Sequence, residues 1–160
     1  MSITLQRFSS ENVEQVCDYI EAIREFDEIV NVIPKDRQVC EDKLRGLLDG
    51  NEAIGVILFD NEKEKVVGIG IAALVEMWWT SEKTWNNILF YIDPAYRRSK
   101  ASSLLMEFFK KITDTSGVPL YFDVIAGPDT DFNIYDRIFR FKGLKRIGTS
   151  FFYEPKAKAA

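Results

Sequence analysis

Residues 85–112, WNNILFYIDPAYRRSKASSLLMEFFKKI, constrain the fold more than any other stretch of this chain. Residues 87–92 are rich in aromatic and β-branched side chains, as a strand buried on both faces should be. Asp93-Pro94 stops that strand, because proline lacks the donor a sheet ladder needs. From Ala101 onward, Leu104, Leu105, Phe108, Phe109 and Ile112 recur at helical spacing. A helix of this length is the crossover that a pair of parallel strands requires. Between strand and helix lies a small, basic segment, Tyr96 to Ser103. A helix N-terminus carries unpaired N–H groups and a partial positive charge, so this segment suits phosphates. Taken alone, Arg97, Arg98 and Lys100 read more simply as a solvated surface, since a basic turn before an amphipathic helix is common; the order of the elements around them shifts that balance.

Composition excludes several alternatives. At 160 residues the chain is one domain by length, with room for a proper core. We expect that domain to span residues 1–155, with a frayed tail at 156–160. The net charge of −4 argues against nucleic-acid binding by bulk charge. The start has no secretory h-region, and no apolar run is long enough to span a bilayer. Cys17 and Cys40 both fall on apolar positions of predicted helices and read as buried thiols rather than a disulfide, which suits a reducing compartment. With no histidine and no cysteine pair at metal spacing, we expect neither a zinc site nor a His-based triad. The expectation is a soluble cytoplasmic domain without metal, with pairing to a second copy left open.

The remaining elements follow in order. Residues 3–8 alternate as a short strand, and Ser9 or Ser10 can cap the next helix. Val13, Val16, Cys17, Ile20 and Ile23 mark one face of that helix. Residues 27–34 break the pattern, and a second helix then turns Val39, Cys40, Leu44, Leu47 and Leu48 inward, closed by Asp49-Gly50. Residues 53–60 and 65–79 read as two strands around a turn at 60–63. The second is nearly all apolar, as a central strand should be, and Gly68 and Gly70 leave gaps where a neighbour can approach. Glu76 is the exception within it, beside Met77, Trp78 and Trp79: an exposed strand end or a carboxylate facing a cleft. Gly117 and Pro119 end the long helix. A strand at 120–125, a helix at 131–141 capped by Asp129 or Thr130, and a strand at 144–153 complete the chain.

The central segment resembles the cofactor motif of the GNAT superfamily of N-acetyltransferases: a strand, then Pro-x-Tyr-Arg, then a loop written Gln/Arg-x-x-Gly-x-Gly/Ala, then a helix. Here Arg97 takes the first loop position, and Lys100 and Ser102 stand where the family has glycines. The element order β-α-α-β-β-β-α-β-α-β is also the GNAT order. The resemblance implies an α/β (α+β) fold with a mixed, mostly antiparallel twisted sheet whose fourth and fifth strands splay at a bulge. It implies acetyl-CoA as co-substrate, with pantetheine in the splay along the backbone of Phe90, Tyr91 and Ile92. Its pyrophosphate would lie over Arg97, Arg98, Ser99, Lys100, Ala101, Ser102 and Ser103. Capture is by backbone N–H groups, so Lys100 must adopt the loop conformation without glycine's freedom. The join between the first two helices helps line the acceptor site in the family, and here it carries Glu25, Asp27 and Glu28, which also read as a solvated face.

In the family, a tyrosine four residues before a glycine at the end of the last helix stands near the cofactor sulfur and protonates the leaving thiolate. This chain has Phe139 at that position and Tyr135 one turn earlier on the same face. Tyr135 is therefore the candidate acid, or a residue that packs with its hydroxyl at the rim. Glu76 is the first candidate base and Asp123 the second. Three functions follow: acetyl transfer from acetyl-CoA to a primary amine, cationic if the rim is acidic; a CoA-binding relative without turnover; and an interaction domain using Met77, Trp78 and Trp79.

Overall fold

The computed structural model describes residues 2–23, 36–77, 80–97, 99–123 and 132–146, without the side chains of Phe132, Ile134 and Tyr135. The chain divides into two compact units. The first holds the described residues up to Asp123 and the second holds residues 132–146.

The first unit is a sheet of strands in chain order, β1 (Ile3–Arg7), β2 (Ala53–Asp60), β3 (Lys65–Glu76), β4 (Lys83–Ile92) and β5 (Leu120–Tyr121). All neighbours run antiparallel except β4 and β5, which are parallel. Helices α1 (Val13–Glu21) and α2 (Arg37–Asp49) cover one face, and α3 (Ala101–Ser116) covers the other. On the first face Val13, Val16, Cys17 and Leu44 pack on Ile57, Ile69 and Ile71. On the second, Ala101 and Leu105 pack on Val56, Leu58 and Val67, and Phe109 and Ile112 on Ala72. The sheet is therefore buried on both sides along β3, which is why that strand reads as a continuous apolar run. Each fully buried Leu, Ile or Phe among these contributes about 1.5–3 kcal/mol.

Gly70 shows why the central strand needs glycine. A Cβ there would stand 2.9 Å from the Phe109 ring and 3.2 Å from Leu105, so its absence lets α3 lie against the sheet. Gly117, at φ 69°, supplies the left-handed residue that ends α3.

Several expectations shift. β3 ends at Glu76, and Trp78 and Trp79 lie outside the described residues, as do Glu25, Asp27, Glu28, Asp129, Thr130 and the tail at 156–160. β5 is paired only at Leu120 and Tyr121, and Val124 and Ile125 are outside the description. Val39 is 45% exposed rather than inward. It sits five residues before Leu44, about 140° around the helix from the buried face. In the second unit α4 (Phe132–Phe141) forms as expected, but Leu144 to Arg146 is not strand, and the rest of 144–153 is outside the description.

Candidate functional site

The pairing of β4 with β5 is short. It comprises Trp85 opposite Leu120 and Asn86 opposite Tyr121, reinforced by the Trp85 N–H donating to the Pro119 carbonyl at 2.8 Å. At the next residue a side chain replaces the ladder: the Asn87 amide donates to the Asp123 carbonyl at 2.9 Å and accepts the Asp123 N–H at 2.6 Å. One step further β4 carries a bulge. Ile71 stands opposite Leu89 and Ala72 opposite Asn87, so Ile88 has no partner on β3 and is 44% exposed. The extra residue reverses the alternation. Trp85 lies on the α3 face before the bulge, whereas Phe90 and Ile92 lie on it afterwards.

Past the bulge, the Asp93 N–H donates to the Val67 carbonyl at 3.0 Å. In an antiparallel ladder the hydrogen-bonded pairs recur every second residue, so Tyr91 and Leu89 turn their backbone groups toward β3. Phe90 and Ile92 turn theirs the other way, toward an edge that no described strand occupies. The expectation that all three of Phe90, Tyr91 and Ile92 line the gap by backbone is thus corrected. Tyr91 instead uses its ring, edge-on to Tyr19 at 6.1 Å and beneath the Arg97 guanidinium at 5.4 Å. The Arg97 Nε–H donates to the Ile92 carbonyl at 3.0 Å and ties the strand end to the following loop. The Tyr19 hydroxyl is buried, with no hydrogen-bond partner at ordinary distance. Burial, with Tyr91 and Asp93 beside it, holds that phenol far above its ordinary range, so it stays protonated.

The loop into α3 is built by its own hydrogen bonds. Asp93 Oδ1 accepts the Ala95 N–H at 3.0 Å and opens a single 3-10 turn, Pro94–Tyr96. The Tyr96 carbonyl accepts both the Ser99 N–H at 3.0 Å and the Ser99 hydroxyl at 2.7 Å. Ser99 Oγ then accepts the Ala101 N–H at 3.1 Å, and the Ser102 hydroxyl donates to the Arg97 carbonyl at 3.1 Å. Lys100 has φ −63° and ψ −9°, an ordinary helical conformation that any residue adopts. A lysine in place of glycine therefore strains nothing. Arg98 lies outside the described residues.

Sequence reasoning missed the anchor beneath this loop. Tyr96 and Asp60 are each 1% exposed, and the Tyr96 hydroxyl donates to Asp60 Oδ2 at 2.7 Å. Asp60 Oδ1 also accepts the N–H groups of Glu62 at 3.0 Å and Lys63 at 3.3 Å. The Tyr96 hydroxyl, then those two N–H groups and the Lys63 charge, hold the Asp60 carboxyl below the usual carboxylate range. Lys63 and Lys65 place their ammonium groups 5.4 and 5.7 Å from the Tyr96 ring centre. The one advance signal was an acidic residue closing β2.

No protein-family model matches the sequence, and no curated protein matches it. Solved structures do match. One is a predicted acetyltransferase with acetyl-CoA from Clostridium acetobutylicum, with a TM-score of 0.72 at 8% identity over 96% of each chain. A second is AAC(6')-Iy in complex with the bisubstrate analogue CoA-S-monomethyl-acetylneamine, at 0.69 and 11% identity over 98% of this chain and 100% of that one. A third is the aminoglycoside antibiotic 6'-N-acetyltransferase AAC(6')-Ih from Acinetobacter baumannii, at 0.67 and 10% identity over 98% and 100%.

The fold is that of the GNAT acetyltransferases.

At these identities the likeness is one of fold. On the GNAT fold, the described parts of the motif come together: the β4 edge at Phe90 and Ile92, Arg97, and the first turn of α3 from Ala101 to Ser103. The catalytic candidates are placed differently. Glu76 is the exposed last residue of β3, opposite Lys83, and is not buried within the strand. Asp123 gives its backbone to Asn87, and its side chain is exposed. Tyr135 lies on α4 in the second unit with its side chain outside the description, and Phe139 follows one turn later. Among the described residues no group of His, Cys, Asp and Glu could hold a metal ion, and no helix is long and apolar enough to cross a membrane.

Proposed function

We propose that this chain is an N-acetyltransferase that moves an acetyl group from acetyl-CoA to a primary amine. One observation carries the reading. The outer edge of β4 at Phe90, which no described strand occupies, leads through one short loop into the N-terminal turn of a 16-residue helix. An extended, amide-bearing pantetheine arm would pair with Phe90 as an added strand. The pyrophosphate would meet the N–H groups of the α3 turn, with Arg97, Arg98 and Lys100 adding charge. The unstrained backbone of Lys100 supports that fit despite the missing glycines.

The reaction is attack of the neutral amine on the thioester carbonyl, cleavage of the C–S bond, and passage of one proton from nitrogen to the departing sulfur. A lysine-like amine has a pKa near ~10.4, so a proton must be drawn off. Glu76 stands four residues along β3 from Ala72, roughly 13 Å from the level of the bulge. We therefore assign it the outer acceptor path, where it attracts a cationic amine, whose proton passes to solvent before attack. Tyr135 is the proposed donor to the thiolate. Acid or base help contributes about 10²–10⁴-fold, so positioning by the splayed strand sustains turnover even where one group is weak. Phe139, with no hydroxyl on the family's register, favours a second reading in which CoA binds without turnover.

Calorimetry with acetyl-CoA and CoA, followed by thiol release across polyamines, aminoglycosides and a lysine peptide, separates the two. Binding with thiol release by at least one amine is the expected result. Binding without release leaves the second reading, and no binding sinks both. Ser102→Asp places an anion where the pyrophosphate would sit, and it should weaken CoA binding at least about tenfold.

A further inference from the structure

We propose that Cys17 and Cys40 form a reversible disulfide that ties α1 to α2, with a peroxide or a glutathione-type disulfide as oxidant. Both thiols are free, and their sulfurs are 3.8 Å apart, in van der Waals contact. A disulfide bond is about 2.05 Å long, so the sulfurs must approach by roughly 1.8 Å to bond. The two helices are already held side by side, because Leu44 and Leu48 of α2 share a cluster with Val13 and Val16 of α1. Neither thiol serves the cofactor edge or the motif loop, so their contact has no role in the acetyl-transfer reading and does not depend on it.

Exposure sets the order of events. Cys40 is partly exposed and Cys17 is 1% exposed. Burial first, and Cys40 second, push the Cys17 thiol up to about 12, so it is a poor first nucleophile. The Cys40 thiolate attacks one peroxide oxygen, giving a sulfenic acid and, after protonation, one water. The Cys17 sulfur then displaces the hydroxyl from the Cys40 sulfur, forming the S–S bond and releasing a second water. Two thiols and one hydrogen peroxide thus become one disulfide and two waters. With glutathione disulfide, Cys40 first exchanges to a mixed disulfide and Cys17 releases the second glutathione. The bridge fixes both ends of the segment joining the two helices, residues 22–36.

The full chain is incubated with hydrogen peroxide or glutathione disulfide, denatured in iodoacetamide and weighed intact. The expected product is a monomer lighter by two hydrogens, unalkylated and restored by dithiothreitol. Its melting temperature should rise by about 5–10 °C, as closing a loop of this size implies. Cys17→Ala should stop at a glutathione adduct on Cys40. Two alkylated thiols after oxidation, over-oxidised thiols without a bridge, or a bridge between two copies would overturn the proposal.

Discussion

The Asn87 side-chain amide pairs with both backbone groups of Asp123, 36 residues along the chain, at the point where β4 and β5 part. A third backbone pair would have carried β5 on beside Phe90 and closed the free edge. The amide takes the place of that pair, and past the bulge no described strand lies along the outer edge of Phe90. Asn87→Ala removes two hydrogen bonds and should cost about 1–2 kcal/mol in urea unfolding. If the edge is the pantetheine site, CoA affinity should fall about three- to tenfold. Unchanged stability and affinity together would show that the pairing at Trp85 and Asn86 is sufficient.

The anchor between Tyr96 and Asp60 predicts a pH signature. Asp60 is held below its unfolded value near ~3.9, so its stabilising contribution is complete above that value and is lost as pH falls through the lower folded value. Tyr96→Phe removes the first cause of the depression. The stability gap between parent and Tyr96→Phe should be widest at neutral pH and should narrow below about pH 4. Urea titrations at pH 7, 4 and 3 measure it, and a gap independent of pH would mean that the backbone N–H groups alone hold the carboxylate.

Gly70→Ala tests the approach of α3 to the sheet. The added Cβ would meet Phe109 at 2.9 Å, so either the ring or the helix must move. Overpacking of this kind costs about 1–3 kcal/mol. Calorimetric melting of the variant checks it, and a melting temperature equal to the parent's would mean that the Phe109 ring yields freely.

Much of this architecture is legible in the chain because one periodicity dominates each element. The apolar run of β3, the i, i+4 pattern of α3 and the Asp93-Pro94 stop are local signals: α3 and the end of β4 form where they place them, and β3 forms from Lys65 but ends at Glu76. What the sequence conceals is non-local. Asn87 reads as an ordinary polar residue of a strand, since its partner is distant in the chain. The Ile88 bulge inserts a single residue into an apolar run, where alternation is masked by burial on both faces. A run of three residues along the cofactor edge, Tyr91 among them, overlooks the two-residue alternation of backbone groups. Glu76 reads from the sequence either as an exposed strand end or as a carboxylate facing a cleft, and β3 ends at Glu76 itself, with the residue exposed, rather than continuing to Trp79.

Proton transfer is where this chain departs furthest from the family pattern, and three variants resolve it. If Tyr135 protonates the leaving thiolate, Tyr135→Phe should lower kcat by about 10²-fold or more and leave CoA affinity nearly unchanged, because the hydroxyl acts on charge that develops only in the transition state. If Tyr135 only packs, phenylalanine keeps the ring and kcat stays within a few-fold. Phe139→Tyr restores a hydroxyl on the family's register, and a gain in kcat would show a site shaped for an acid that it lacks. In the proposed reaction Glu76, exposed and roughly 13 Å from the bulge level, would act on the acceptor rather than on the thioester. Glu76→Gln should therefore raise KM for a cationic amine several-fold and change kcat less, with the KM for acetyl-CoA unmoved. Steady-state kinetics with both substrates varied distinguishes these patterns. A Glu76→Gln enzyme with normal amine KM and a collapsed kcat would place the carboxylate at the reacting nitrogen and overturn the assignment to the outer path.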